Sequence, residues 1–171
     1  DEGAGTSSAL ILNLVRKVSL YNNQTKEKLK SWQEEVINTD KLNPIKRTSD
    51  HKLGIIGLGR IGSALAIRMK KFKMEVGFYD PYIPSGYEKS FDIKRFDTIK
   101  ELIKASSIIS INAALNSETH SMVDEIFIKS LNEDTILINT ARGAIIKNLD
   151  IILEGLKSNK LAAVGLDVLP K

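Results

Sequence analysis

The 171-residue chain is long enough for one domain with a substantial core, and its 42% hydrophobic and 27% charged residues are the balance of a soluble globular protein. It contains no cysteine, which excludes disulfides, thiolate catalysis and cysteine-held metals, and which fits an intracellular protein. The net charge of +4 is scattered among acids along the chain, so no nucleic-acid patch is expected; even Lys70-Lys71-Phe72-Lys73 reads as a solvated helix end.

Residues 1–6 are small and polar, and read as a frayed start. Residues 7–20 carry Leu10, Leu14 and Val18 at a spacing of four, with Ile11 and Val15 beside them, which predicts one amphipathic helix. The run Ala9-Leu10-Ile11-Leu12 passes into Asn13, Arg16 and Lys17, so it is too short and too polar to cross a membrane. Nothing positively charged precedes it, and no signal peptide is expected. Residues 25–35 read as a second, more polar helix with Trp32, and residues 38–52 as a turn-rich linker.

Leu53 to Ile56 is a short apolar run that predicts a buried strand, and residues 63–72 the helix after it. Residues 75–79 form the next strand, ending at Asp80, and a loop with Pro81 and Pro84 follows. Residues 93–96 suggest a short edge strand. Thr98 and Glu101 make a capping box that opens a helix through Lys104. Residues 108–111 are a strand, and 112–120 its loop. Asp124 caps a helix over 125–131, residues 135–139 are a buried strand, Asn148 caps a helix over 149–157, and 162–168 is the last strand. Helices alternate with short apolar strands almost throughout, which predicts an α/β fold: a doubly wound, mostly parallel Rossmann-type sheet with helices on both faces. Residues 1–50 read as leading helices and linker, and 51–171 as a dinucleotide-binding core.

Between the first core strand and its helix, Gly57, Gly59 and Gly62 stand in G-x-G-x-x-G spacing. The first glycine permits a tight turn, the second lets a pyrophosphate approach the backbone, and the third lets the helix pack close to the strand. Orphan N–H groups and the positive dipole end of that helix would face the phosphates. Asp80 lies 18 residues beyond Gly62, near the spacing of about 20 for a carboxylate that binds ribose. The motif alone also occurs in ordinary glycine turns, and a methyltransferase likewise has a glycine turn and an acid after its second strand. Ligands of such a sheet sit beyond the carboxyl ends of the strands. There this sequence puts residues 57–62, Asp80, residues 112–119, residues 139–142 and Asp167. By spacing alone, Arg142 is as well suited to pairing with a surface acid as to binding a ligand. Its place after a buried strand, in Asn139-Thr140-Ala141-Arg142-Gly143, favours function and argues against the methyltransferase. His51 and His120 read as surface histidines, Tyr79 and Tyr82 as packing residues.

Five stretches together resemble the D-isomer-specific 2-hydroxyacid dehydrogenases. They are Gly54-Ile55-Ile56-Gly57-Leu58-Gly59-Arg60-Ile61-Gly62, Phe78-Tyr79-Asp80-Pro81-Tyr82, Leu137-Ile138-Asn139-Thr140-Ala141-Arg142-Gly143, Gly165-Leu166-Asp167-Val168 and Ile11-Leu12-Asn13-Leu14-Val15-Arg16-Lys17. The resemblance spans residues 7–168. The second and fifth stretches are most similar to the C-terminal-binding-protein branch, whose members are NAD-linked transcriptional corepressors. The resemblance implies an NAD-binding domain of an oxidoreductase that transfers a hydride between NAD(H) and a 2-hydroxy or 2-oxo acid; the alternative is an NAD-sensing corepressor module. It further implies a homodimer, in the cytoplasm or, for a corepressor, the nucleus, with no metal, no direct nucleic-acid partner and no membrane.

Residue by residue, the resemblance places Arg60 and Ile61 against the pyrophosphate beside Gly57, Gly59 and Gly62, and Asp80 on the adenosine ribose. Ala114 and Thr119 match loop positions that line the cofactor, Thr140 and Ala141 positions near the nicotinamide, and Asp167 the residue on the carboxamide side. Arg142 matches the arginine that binds substrate, a role its planar guanidinium suits because it can grip a carboxylate bidentately. The family's catalytic glutamate and histidine would follow Lys171, and most of its substrate domain would precede Asp1. Three residues depart from the family pattern. Ala114 replaces a common proline, Lys147 a common aspartate, and Lys73 a glycine at a site where, if left-handed, lysine costs roughly 1 kcal/mol.

Overall fold

The computed structural model describes residues 2–27 and 45–170. Six strands form one all-parallel sheet: β1 (Lys52–Ile56), β2 (Glu75–Tyr79), β3 (Lys94–Arg95), β4 (Ile108–Ile111), β5 (Thr135–Asn139) and β6 (Leu161–Leu166), in the order β3-β2-β1-β4-β5-β6. This is the doubly wound arrangement expected, with the order reversing between β1 and β4. The two chains leaving that pair diverge and open a crevice at their carboxyl ends.

The strands alternate their apolar side chains between two cores. Leu53, Ile55, Val76, Phe78, Ile108, Ile136 and Ile138 point to one face. There they meet α1 (Glu2–Val15) through Ile11 and Val15, and α3 (Arg60–Lys71) through Leu65, Ala66 and Met69. Ile56, Ile109, Ile111 and Leu137 point to the other face. It is covered by α5 (Ile99–Ala105), α6 (Glu125–Ser130) and α7 (Leu149–Lys157). Because both faces are buried, the strands read as continuous apolar runs.

Local chemistry fixes most boundaries. The Thr98 hydroxyl accepts from Glu101 N while the Glu101 carboxylate accepts from Thr98 N, the reciprocal cap that opens α5. Asp124 and Asn148 accept from Phe127 N and Ile151 N at the starts of α6 and α7. Lys73, after α3, adopts φ 62°, the left-handed site where its side chain is strained.

Three expectations need correction. Residues 2–6 are not a frayed start: they begin α1, and Ala4 is fully buried. The single helix over residues 7–20 is two, α1 and α2 (Val18–Glu27). The break falls at Lys17, with φ 54°, where the Asn13 side-chain oxygen accepts from Ser19 N at 2.9 Å and so caps α2 in place of continuing α1. A short helix after Asp80, α4 (Tyr87–Phe91), was not expected at all. Of the polar helix expected over 25–35, residues 25–27 close α2, and the rest, Trp32 included, lies outside the described residues. Part of the linker, residues 38–44, does too.

Candidate cofactor and substrate site

The turn after β1 is shaped by two of its glycines. Gly57 has φ 91°, a conformation that side chains rarely adopt, and a Cβ there would meet the Ala113 backbone at 2.7 Å. A Cβ on Gly62 would sit 2.1 Å from the Gly57 carbonyl oxygen, so only glycine lets α3 start this close to β1. Gly59, by contrast, faces open space. It is the N-cap of α3 and has no side chain to cap the helix, which leaves the first-turn N–H groups of Arg60, Ile61 and Gly62 for an incoming anion. Arg68, Lys70 and Lys71 occupy the last turn of α3, where cations complement the dipole.

On the β2 side of this turn lies a crevice of about 750 Å³, lined by Gly57, Gly59, Asp80, Tyr82, Ala114 and Thr119 among others. The Asp80 carboxylate ties the two loops together. Its Oδ2 accepts from Leu58 N at 2.8 Å and its Oδ1 from Tyr82 N at 2.9 Å, and lone pairs remain for a ribose. Ile83, Ile99 and Met122 give the crevice an apolar wall. Across its mouth the Tyr82 hydroxyl donates to Glu118 Oε2 at 2.5 Å, and that bond to a carboxylate raises the Tyr82 pKa. Tyr82 is 70% exposed, so it is a bridge between loops and not the packing residue expected. The pair was invisible in the sequence because 36 residues separate its members.

On the β5 side a second crevice, of about 470 Å³, is lined by Gly59, Arg60, Ile61, Thr140, Ala141 and Arg142 with the loop after β4. Gly59, Asn112, Ala113 and Ala114 line both, so the two are halves of one groove over the switch point. Asn139, fully buried at the end of β5, holds the turn that presents Arg142. Its Oδ1 accepts from Ala141 N and its Nδ2 donates to the Arg142 carbonyl, both at 3.0 Å. The exposed Arg142 guanidinium donates to the Ala141 carbonyl at 2.7 Å, and among the described residues no carboxylate pairs with it. That leaves its remaining donors for an anion.

Thr140 closes the far wall from behind. Its hydroxyl lies 2.7 Å from that of Ser7 on α1, and both residues are buried. The Ser7 hydroxyl donates to the Gly3 carbonyl at 2.8 Å, and Asn112 Nδ2 approaches Thr140 Oγ1 at 3.4 Å. Neither Ser7 nor Asn139 was singled out by sequence reasoning as a supporting residue.

Of the expected site residues, Gly57, Gly59, Arg60, Ile61, Asp80, Ala114, Thr119, Thr140, Ala141 and Arg142 line this groove, and Gly62 lies directly beneath it. Asp167 lines neither half: it is exposed at the end of β6, with its N–H donating to the Asn139 carbonyl at 3.0 Å. His51 stands just before β1, at the amino-terminal end of that central strand and so away from the groove at the carboxyl ends, and His120 lines neither half. No group of three or more histidine, cysteine, aspartate or glutamate side chains is placed to hold a metal among the described residues. No helix among them is long and apolar enough to cross a membrane.

Residues 8–171 match the family described as D-isomer specific 2-hydroxyacid dehydrogenase, NAD binding domain. The D-3-phosphoglycerate dehydrogenase of Methanocaldococcus jannaschii is 37% identical over 116 residues, 68% of this chain and 22% of that protein. C-terminal-binding protein 1 of Caenorhabditis elegans is 26% identical over 168 residues, 98% of this chain and 23% of that protein. The D-lactate dehydrogenase of Aquifex aeolicus, solved with NAD and lactic acid, superposes with a TM-score of 0.84 at 30% identity, covering 99% of this chain and 48% of that one. The chain thus spans about half the length of this solved structure and under a quarter of the two curated relatives.

Proposed function

Since the chain belongs to the D-isomer specific 2-hydroxyacid dehydrogenases, as their NAD-binding domain, we propose that it serves an enzyme that moves a hydride between NAD(H) and a 2-hydroxy or 2-oxo acid. The observation that carries this reading is the single groove running from Asp80, past the uncapped start of α3, to Arg142. An extended dinucleotide needs a ribose acceptor, an anion cradle and a reactive end in that order, and the groove provides them. Bound there, NAD supplies the hydride acceptor or donor.

In this reading Asp80 accepts hydrogen bonds from the adenosine ribose, and its charge opposes a 2′-phosphate, so NADPH binds more weakly than NADH. The N–H groups of Arg60, Ile61 and Gly62 meet the pyrophosphate beside Gly57 and Gly59. Ala114 and Thr119 line the cofactor, and Thr140 and Ala141 stand at the nicotinamide end. Asp167, on the resemblance alone, serves the carboxamide. Arg142 grips the substrate carboxylate and polarises its carbonyl. A guanidinium is not a proton donor in proteins, so the proton that the new alcohol needs comes from another group. With His51 at the amino-terminal end of β1, away from the groove, and His120 outside the groove, no histidine among the described residues is placed to give that proton. The chain alone is thus expected to bind NAD and not to turn over.

Calorimetry with NADH, NADPH and a Gly59→Trp variant, run beside an NADH-oxidation assay over a panel of 2-oxo acids, tests this. Tight NADH binding lost in the variant, weaker NADPH binding and no oxidation are expected. Equal affinity for NADPH, or turnover abolished by His120→Ala, would refute it. A two-fold dimer and a reducing, cytoplasmic setting belong to the same proposal. No feature of the groove favours a corepressor role over a catalytic one.

A further inference from the structure

The loop that carries Asp80 is held only in part by its own bonds, Tyr82 N donating to Asp80 Oδ1 and Tyr87 N to the Pro84 carbonyl. Residues 80–86 include Pro81 and Pro84, which have no N–H to donate, so the loop is short of donors for its own carbonyl groups. Arg95, on the edge strand β3, supplies them from behind. Its Nη2 donates to the Ile83 carbonyl at 2.9 Å and to the Pro84 carbonyl at 2.7 Å, and its Nη1 reaches the Asp80 carbonyl at 3.4 Å.

The guanidinium is itself fixed on two further sides. Its Nε donates to Glu88 Oε2 at 3.1 Å, and Glu88 in turn accepts from Gly86 N, at the far end of the same loop. Its carbon lies 5.0 Å from the centroid of the Phe78 ring, on the strand that pairs with β3. Arg95 is half-buried and lines neither half of the groove. Five donors in a rigid fork, held over a ring, suit this task; the single ammonium of a lysine does not.

We propose that Arg95 is a positioning residue for the adenosine end of the cofactor: it holds Asp80 and the loop of residues 80–84 in the binding conformation before the cofactor arrives. This rests on the placement of the adenosine ribose at Asp80. Without the fork, the loop must be ordered at the moment of binding, and affinity falls by the cost of that ordering. The loss is confined to ligands that carry adenosine, and the preference for NADH over NADPH narrows because the repelling carboxylate is no longer fixed.

The test is calorimetry on the parent chain, Arg95→Met and Arg95→Lys, with NADH, NADPH, ADP-ribose and reduced nicotinamide mononucleotide as ligands. Arg95→Met is expected to bind NADH and ADP-ribose about tenfold more weakly, with the mononucleotide unchanged. Arg95→Lys is expected to fall between it and the parent. Parent-like binding of ADP-ribose by a folded Arg95→Met overturns the proposal, as does an equal loss for the mononucleotide. If Arg95→Met does not fold, Arg95→Lys decides: a ratio of ADP-ribose to mononucleotide affinity equal to the parent's overturns it, and a reduced ratio supports it. A parent chain without affinity for ADP-ribose refutes the placement of adenosine at Asp80, and the role of Arg95 with it; parent-like variants refute the role of Arg95 alone.

Discussion

Asn139 offers the sharpest test of how the groove is built. Its amide is fully buried and makes two bonds, accepting from Ala141 N and donating to the Arg142 carbonyl. Asn139→Ala removes both partners. The Arg142 carbonyl belongs to an exposed residue and can turn to water, but Ala141 is buried and its N–H is stranded. A buried unpaired donor costs about 1–3 kcal/mol, so with the lost packing the variant should be destabilised by roughly 2–4 kcal/mol. Asn139→Asp separates charge from shape. As a neutral acid it is nearly isosteric with asparagine, and its O–H can still donate to the Arg142 carbonyl. As a carboxylate it buries a charge against that oxygen, so burial raises its folded pKa above the unfolded value of about 4. A raised acid pKa means that the folded state binds more protons, so stability is retained in acid and lost as pH rises above about 4. Urea melts of the parent and both variants between pH 4 and 8 provide the measurement. An Asn139→Ala variant within 1 kcal/mol of the parent, or an Asn139→Asp deficit that shrinks as pH rises, would refute this account.

Three further outcomes follow from the geometry. Gly62→Val should abolish NADH binding and lower the melting temperature, because its Cβ would overlap the Gly57 carbonyl at 2.1 Å; an unchanged calorimetric titration would contradict this. Lys73→Gly should stabilise the chain by about 1 kcal/mol in denaturant melts, since φ 62° strains a lysine and not a glycine. His51 is held below its ordinary pKa by burial and by Lys46, so the unfolded chain takes up its proton first. Its contribution is therefore complete above pH 6.5 and lost as pH falls below that value. His51→Gln should flatten that part of the stability profile, and an unaltered slope would count against the assignment.

The parts of the fold legible in the sequence are those decided within a few residues. The strands over 75–79, 108–111 and 135–139 are as expected because each is an apolar run with a turn on both sides. Thr98, Asp124 and Asn148 announced their helices because a cap acts three residues away. The break at Lys17 was hidden because no glycine or proline marks it; Asn13 caps the next helix from six residues back. The same limit applies to the groove. The glycines and Asp80 stand in a local motif, whereas Tyr82 with Glu118, Ser7 with Thr140, and Arg95 with its loop are joined only by folding. Asp167 apart, the site residues named from the sequence face the groove or lie beneath it; the contacts it withheld are those that hold the groove's walls and mouth in place.

The hydroxyl pair of Ser7 and Thr140 has a direction. Ser7 has one proton, and the Gly3 carbonyl takes it. Between the two hydroxyls, then, Thr140 must be the donor, and its own proton points away from the groove toward α1. On the groove side Thr140 can offer only lone pairs, one of them already met by Asn112 Nδ2 at 3.4 Å. Rotating the hydroxyl to donate outward would leave two buried oxygens facing each other at 2.7 Å. The wall at that point is therefore polarised before any ligand enters: it accepts an N–H and rejects a second acceptor. A helix at the start of the chain sets the sign of a contact at residue 140.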